Sequence, residues 1–337
     1  MLNFDEPRFL RIQGGALGLL PRLQAAVRDA LGRGAENLFF LGAGGAGILM
    51  YPAAHLLQRH STFPVFAEIS AELVAAGHRR LGPNSIVVIP SLSGTTAESI
   101  AALEYCQKAG ATILVLTGHA RTPLAEAADH AFVNFAEDDT SCESFYLQSL
   151  GIALAVLQHR GEIDDAEAVL AELARLPALL VGVKRAHEAE AERLAERFRA
   201  EPYHIITGAG STWAEAYYYG MCILEEMQWI RTRPVHASDF FHGTLELVEQ
   251  GVSVVLFKGE DASRPLVERV ERFVPGYTDK VTVLDTAKFA LPGISPRVRA
   301  LISPVLLATF LERLSAHLEV KRNHPLTTRR YYKRVAY

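Results

Sequence analysis

The sequence predicts an α/β fold with two tandem doubly wound parallel sheets, and two observations carry that expectation. From Ala35 onward, short β-branched or aromatic runs alternate with longer helical ones, the pattern of a parallel sheet covered on both faces. The pattern then begins again: Gly208 of GAGSTW stands 166 residues after Gly42 of GAGGAG, and Lys258 of KGEDAS stands 167 after Ser91 of SLSGTT. Two offsets this close predict an internal duplication.

Five strands are expected in the first copy, at ENLFFLGAG, TFPVFAEIS, NSIVVIPSLSG, ATILVLTG and HAFVNFAED. Between them GILMYPAAHLLQRH, AELVAAGHRR, TAESIAALEYCQKAG and PLAEAAD read as helices, and SCESFYLQSLGIALAVLQHRGEI as a long amphipathic one. A charged stretch rich in Ala and Glu, Ala166 to Phe198, continues in helical style. EPYHIITGAGSTWAEAYYYGMCILEEMQ and GVSVVLFKGEDASRPLVERVERF repeat the strand-turn-helix layout. The expected organisation is a helical segment 1–34, a first domain 35–160, a helical linker 161–189, a second domain 190–320 and a tail 321–337.

Composition excludes several classes. The 337 residues carry 34 basic and 38 acidic side chains, a net charge of −4, so nothing electrostatic calls for nucleic acid as partner. The N-terminus MLNFDEPRFLR is unlike a secretory signal, and no apolar stretch is read as reaching the roughly 18 residues of a membrane span. Cys106, Cys142 and Cys222 stand singly, which suggests neither a disulfide framework nor a zinc or other metal site. A soluble cytoplasmic protein is expected.

SLSGTT holds the first chemistry. Ligands of open α/β sheets bind beyond the carboxyl ends of the strands, where the next helix offers unpaired N–H groups and a positive dipole end. Ser91, Ser93, Thr95 and Thr96 place four hydroxyls within six residues there, and Gly94 lets the backbone come close. Neutral donors suit a phosphate that must bind and leave with its sugar. The competing reading is an ordinary helix cap. No Walker lysine follows, so a nucleoside triphosphate is not indicated. The second copy replaces the hydroxyls by Glu260 and Asp261, which would repel an anion.

GAGGAG matches a dinucleotide fingerprint literally, with Glu68 near the acidic position, but GAGSTW lacks the third glycine. Gly42, Gly44 and Gly45 are therefore assigned to close passage of a sugar, with tight turn packing as the alternative. LEEMQWIRTRPVHASDFFHGT concentrates acid–base groups: Glu225 and Glu226 near the end of a helix, His236 and His242 in a loop-like segment after Pro234. A carboxylate that takes a proton from carbon and a histidine that moves protons at oxygen are what an aldose–ketose interconversion needs. Met227, Trp229, Phe240 and Phe241 are expected to shield that pair from water.

Taken together, GAGGAG, SLSGTTAES and the EE…HGT spacing resemble the tandem sugar-isomerase (SIS) domain family over essentially the whole chain. That family includes the isomerase half of glutamine-dependent glucosamine-6-phosphate synthase and the fructosamine-6-phosphate deglycases. HASDFFHGTLELVE and NHPLTTRRYY look particularly like the deglycase branch. The resemblance implies two three-layer αβα domains and a phosphate held by Ser91, Ser93 and Thr96. It further implies Glu226 as general base, and His242 assisting ring opening and proton transfer. It also implies a homodimer with Glu226 and His242 from different subunits, a tail that closes over the site through Tyr332 and Lys333, and no cofactor.

Two departures separate the chain from the synthase: no glutaminase segment or cysteine follows Met1, and Ile223 stands where the synthase has a lysine. The expected activity is cleavage of a fructoselysine- or glucoselysine-type sugar 6-phosphate. The alternatives are a glucosamine-6-phosphate deaminase, a phosphosugar isomerase, and a non-catalytic phosphosugar sensor. Arg231, Arg233, Arg329 and Arg330, or Asp239 and Glu246, are candidates for choosing the amine.

Overall fold

The computed structural model describes residues 1–136, 141–332 and 334–335, so Lys333 and the end of HAFVNFAED lie outside the described residues. The chain forms two compact units, Glu6–Ala178 on one side and Met1–Asp5 with Leu179–Tyr337 on the other.

In the first unit α1 (Glu6–Gly18) and α2 (Leu20–Gly32) precede β1 (Asn37–Gly42), α3 (Gly44–Ile48), α4 (Tyr51–His60), β2 (Val65–Ile69) and α5 (Ser70–Ala76). Then come β3 (Ser85–Ser91), α6 (Ala97–Lys108), β4 (Thr112–Thr117), α7 (Pro123–Ala127), β5 (His130–Val133), α8 (Ser141–His159) and α9 (Ala166–Leu173). All five strands are parallel, in the order β2-β1-β3-β4-β5. NLFFLG and SIVVIPS are buried at every position, as expected of interior parallel strands covered on both faces. One face packs Phe39, Leu41, Val87, Ile89 and Val115 against Leu103 and Cys106 of α6, each large side chain contributing roughly 1.5–3 kcal/mol. Burial pushes the Cys106 thiol up to about 12, so it acts as a small hydrophobe. The helices α1 and α2 pack on α8, and a Cβ at Gly151 would meet Leu20 at 2.5 Å, so the glycine permits that approach.

The predicted helical stretch Ala166 to Phe198 is two helices, α9 and α10 (Leu176–Phe198), divided where Pro177 at the second position of α10 lacks the N–H that a continuous helix needs. The boundary between the units falls inside α10.

The second unit continues with β6 (Tyr203–Gly208), α11 (Thr212–Tyr218), a π-helical turn Tyr219–Glu225, β7 (Arg231–His236), β8 (Ser253–Lys258), α12 (Arg264–Phe273), β9 (Val281–Asp285) and α13 (Pro296–Arg322). Its strands are parallel, in the order β7-β6-β8-β9, the same arrangement as β2-β1-β3-β4.

Two expectations need correction. RTRPVH is a strand, so His236 ends β7 and does not lie in a loop; the strand tolerates Pro234 because it sits at the sheet edge. And α13 is long and apolar enough to pass for a membrane span, with mean hydropathy 1.3, contrary to the reading of the sequence. It is a core helix, 89% buried over that window. Within it Arg313 donates to Glu188 of α10 at 2.8 Å. Burial alone would raise the Glu188 carboxyl, but hydrogen bonds from Arg313, the Leu2 N–H and His317 hold it at about 2, and so pin Met1–Asp5 to the unit.

Candidate functional site

Strand order in the first sheet reverses direction between β1 and β3, the place where open α/β sheets leave a crevice beyond their carboxyl ends. The two glycine- and hydroxyl-rich loops flank it. On the β3 side, Ser91 is buried, its Oγ lies 3.3 Å from Thr96 Oγ1, and it accepts from Gly94 N–H at 3.2 Å. Ser93 Oγ accepts from the N–H and hydroxyl of Thr95, at 3.3 and 3.1 Å. Gly94 sits at φ +65, and a Cβ there would meet Thr122 Oγ1 at 2.3 Å, so no other residue fits the turn.

Thr96 bears on the capping reading of this turn. It occupies the N-cap of α6 in extended geometry, yet its side chain makes no capping bond. Its hydroxyl faces Ser91 instead, and the first-turn N–H groups of α6 have no side-chain acceptor among the described residues. The cluster is a set of donors at an uncapped helix start, which is what an oxyanion needs.

On the β1 side the glycines divide. The Cα of Gly47 occupies the space of a Gly42 Cβ, at 2.1 Å, which is turn packing. Gly44, at φ +56, is exposed, and nothing lies within 4 Å of where a Cβ would stand, so its face is open. Gly45 follows it in the first turn of α3.

The equivalent crevice of the second unit is filled by the chain itself. Asp261 Oδ2 accepts from Ser211 N–H at 2.9 Å and Ser211 Oγ at 2.7 Å, and Oδ1 accepts from Ser263 N–H at 2.8 Å. Glu260 takes a two-pronged grip from Arg299, at 2.7 and 2.9 Å. Arg264 holds Asp285 in the same way, at 2.8 and 2.7 Å. Asp285 also meets Lys258 at 3.3 Å; burial opposes ionisation there, and Arg264 with the Ala287 N–H more than offsets it, so the carboxyl stays below its usual range.

Glu226 follows the π-helical turn, and its N–H bonds to Met221 O five residues back. Gly220 lets that wide turn press on β7, since a Cβ would lie 2.7 Å from Pro234. Single π turns are frequent at functional sites because they displace the side chains that follow. Glu225 is occupied structurally, accepting from Thr232 N–H and Oγ1 at 3.1 and 2.6 Å. Glu226 Oε1 accepts from Arg329 Nε at 2.9 Å. The expected apolar shield is absent: Phe240 and Phe241 pack with Phe273 in the core of the unit, and Trp229 is partly exposed. The C-terminal tail meets Glu226 through Arg329 and packs on the residues that follow it. Trp229 takes φ +55, an uncommon conformation for a bulky residue, with Arg330 stacked 3.9 Å over its ring and His324 edge-on at 4.5 Å. Gln228 Nε2 donates to His324 O at 2.8 Å. Tyr332 lies beside Arg329, 6.0 Å from guanidinium carbon to ring centre.

His242 is exposed at the end of a short 3₁₀ turn, Phe240–His242. His236 accepts from Ser238 N–H at Nδ1, 3.2 Å, which assigns its ring proton to Nε2, and it meets Trp213 edge-on at 5.7 Å. Burial lowers its pKa, with Asp239 acting in the opposite sense, so it is a neutral donor at pH 7. No hydrogen bond or ion pair joins Glu226 to either histidine among the described residues. Glu226 precedes β7 and His236 ends it, and a six-residue strand is roughly 17 Å long.

The SIS domain family model matches residues 33–158. Fructosamine deglycase of Bacillus subtilis is 30% identical over 317 residues, covering 94% of this chain and 97% of its own. The chain belongs to the SIS-domain family. Fructoselysine 6-phosphate deglycase of Escherichia coli is a further relative, 28% identical over 93% of this chain and 90% of its own. Among solved SIS-type structures, one from Bacillus subtilis with a provisional phosphosugar-isomerase description superposes with a TM-score of 0.88 at 29% identity, covering 94% of this chain and 97% of that one. The C-terminal domain of glucosamine-fructose-6-phosphate aminotransferase from Francisella tularensis shares the fold, with TM-score 0.77 at 16% identity, over 92% of this chain and 96% of that one.

Proposed function

We propose that the chain is a SIS-family deglycase that cleaves a ketose 6-phosphate carrying an amino acid on C1 into glucose 6-phosphate and the free amine. The observation that carries this reading is the similarity to two deglycases over nearly the whole length of all three chains. The uncapped, hydroxyl-lined turn Ser91–Thr96 supports the phosphosugar half of it.

In this reading Ser91, Ser93 and Thr96 take the phosphate, and the sugar passes over Gly44 and Gly45, while Gly42 serves the packing of the turn. A histidine assists ring opening. Glu226 removes a proton from C1, and the electron pair moves toward C2 and its oxygen to give an enaminol. Return of the proton to C2 leaves a C1 imine, and water adds to C1 and expels the amine. Ketosamine and water balance glucose 6-phosphate and amine, and no external electron acceptor is needed. His242 serves as proton carrier from a second copy of the chain, a role supported by its exposure and by the absence, among the described residues, of any hydrogen bond or ion pair to Glu226. The tail, through Tyr332 and Lys333, covers the bound sugar. We further read the two sheets as copies of one duplicated domain, supported by their matching strand order, and the protein as a cytoplasmic homodimer.

The test is incubation with fructoselysine 6-phosphate, glucoselysine 6-phosphate and glucosamine 6-phosphate, with identification of both products. Release of an amino acid with hexose 6-phosphate is the expected result. Release of ammonia alone assigns the deaminase reaction instead, and binding with no turnover assigns a sensor.

A further inference from the structure

We propose that Arg329 reads the α-carboxylate of an amino acid joined to the sugar through its α-nitrogen, so that the enzyme favours α-conjugates over conjugates of the lysine side chain. The proposal rests on Glu226 being the base. Arg329 spends three of its donor contacts on fixed partners: Nε on Glu226 Oε1 at 2.9 Å, and Nη1 on the carbonyls of Leu326 and Thr328 at 2.5 and 3.0 Å. Those two carbonyls lock the guanidinium to the tail. Its Nη2 has no acceptor among the described residues, although the side chain is only 16% exposed. A largely covered guanidinium edge with a free N–H pair is a place for a carboxylate, which arginine binds with directional, charge-assisted bonds.

The position of that edge sets which carboxylate fits. Glu226 Oε2 accepts nothing from the described residues, so it is the oxygen free to meet the C1 proton while Oε1 stays on Arg329. In an α-conjugate the carboxyl carbon lies about three bonds from C1, roughly 4 Å, short enough to reach the guanidinium whose Nε is 2.9 Å from Glu226 Oε1. In an ε-lysine conjugate it lies about seven bonds away, too far to meet Arg329 without folding back on itself. Arg330, stacked on Trp229, and Tyr332 beside Arg329 hold the tail where this arrangement needs it.

The experiment compares three substrates with the full chain: the α-linked glycine conjugate of fructose 6-phosphate, its decarboxylated methylamine analogue, and the ε-linked lysine conjugate. Wild type is expected to show kcat/KM for the glycine conjugate on the order of tenfold to a hundredfold above the methylamine analogue, the size of one charge-assisted contact. Arg329→Gln is expected to bring that ratio close to one, with Arg329→Lys in between, whatever both changes do to absolute turnover through Glu226. Because the readout is a ratio within each variant, a general loss of structure does not imitate it. A wild-type ratio near one, or a ratio that survives Arg329→Gln, overturns the inference and leaves the deglycase reading standing. Silence of wild type on all three substrates overturns both together.

Discussion

The turn after β3 and the turn after β8 occupy the same place in two sheets of matching strand order, and they differ in who supplies the anion. After β8 the chain supplies its own: the Asp261 carboxylate satisfies Ser211 and Ser263, and Arg299 and Arg264 are spent on Glu260 and Asp285. After β3 the donors remain and the carboxylate does not, because Gly94 stands where the turn after β8 has Asp261. One turn is thus satisfied by the chain itself, and the other is the one proposed for a ligand. A phosphate site is the same set of helix-start donors with the internal acceptor taken away.

The comparison breaks most sharply if the first turn is given the second turn's charge. Ser93→Asp places a carboxylate among the phosphate donors, and like-charge contact costs several kcal/mol, so kcat/KM for the phosphosugar is expected to fall by on the order of a hundredfold or more. Steady-state kinetics at fixed ionic strength measures this, and activity within a few-fold of wild type would remove the turn from the site.

Acid sensitivity tests the second unit. His204 is buried against Phe198 and bonded to Ser253 at 2.8 Å, and burial, with Lys280 and Arg322, lowers it from 6.5 to about 4. Above pH 6.5 the ring is neutral folded or unfolded. As pH falls below 6.5 the unfolded chain gains a proton that the folded one refuses, so stability drops until about pH 4, by on the order of 3 kcal/mol. Urea midpoints across that window should show the loss, and His204→Gln should flatten it; an unchanged slope would count against the assignment.

Asp261→Ala leaves three donors without their acceptor and is expected to cost about 1–3 kcal/mol in urea unfolding, part of it restored by inorganic phosphate entering the vacated turn. No recovery with phosphate would show that the two turns are not equivalent. The smallest effect belongs to Thr96→Val. A capping threonine would cost about 1 kcal/mol when lost, but Thr96 caps nothing, so stability should move by a few tenths while KM rises about tenfold. A full capping penalty with unchanged KM would restore the ordinary reading of the turn.

Much of this was legible in the residues. The runs NLFFLG and SIVVIPS mark interior parallel strands because they are mostly apolar and are buried at every position, and donor density singles out the hydroxyl cluster as the turn proposed for the phosphate. β7 was hidden because an edge strand can carry Pro234 and exposed Arg231 and Arg233, which erase the usual pattern. The length of α13 was hidden by Glu312 and Arg313, charges that pair inside the unit with Lys184 and Glu188. The partner of Glu226 was invisible for a different reason: Arg329 lies 103 residues away, and only the folded tail brings it within 2.9 Å. Periodicity reports faces of elements and is silent about which distant charge meets which.

The most direct measurement is calorimetric titration with sorbitol 6-phosphate, an open-chain phosphosugar, of wild type, Ser93→Asp and Asp261→Ala. One binding event per chain in wild type, none in Ser93→Asp, and a second, weaker event in Asp261→Ala where the vacated turn takes the phosphate, is the result the account predicts. Two events per wild-type chain, or binding that survives Ser93→Asp, would contradict it.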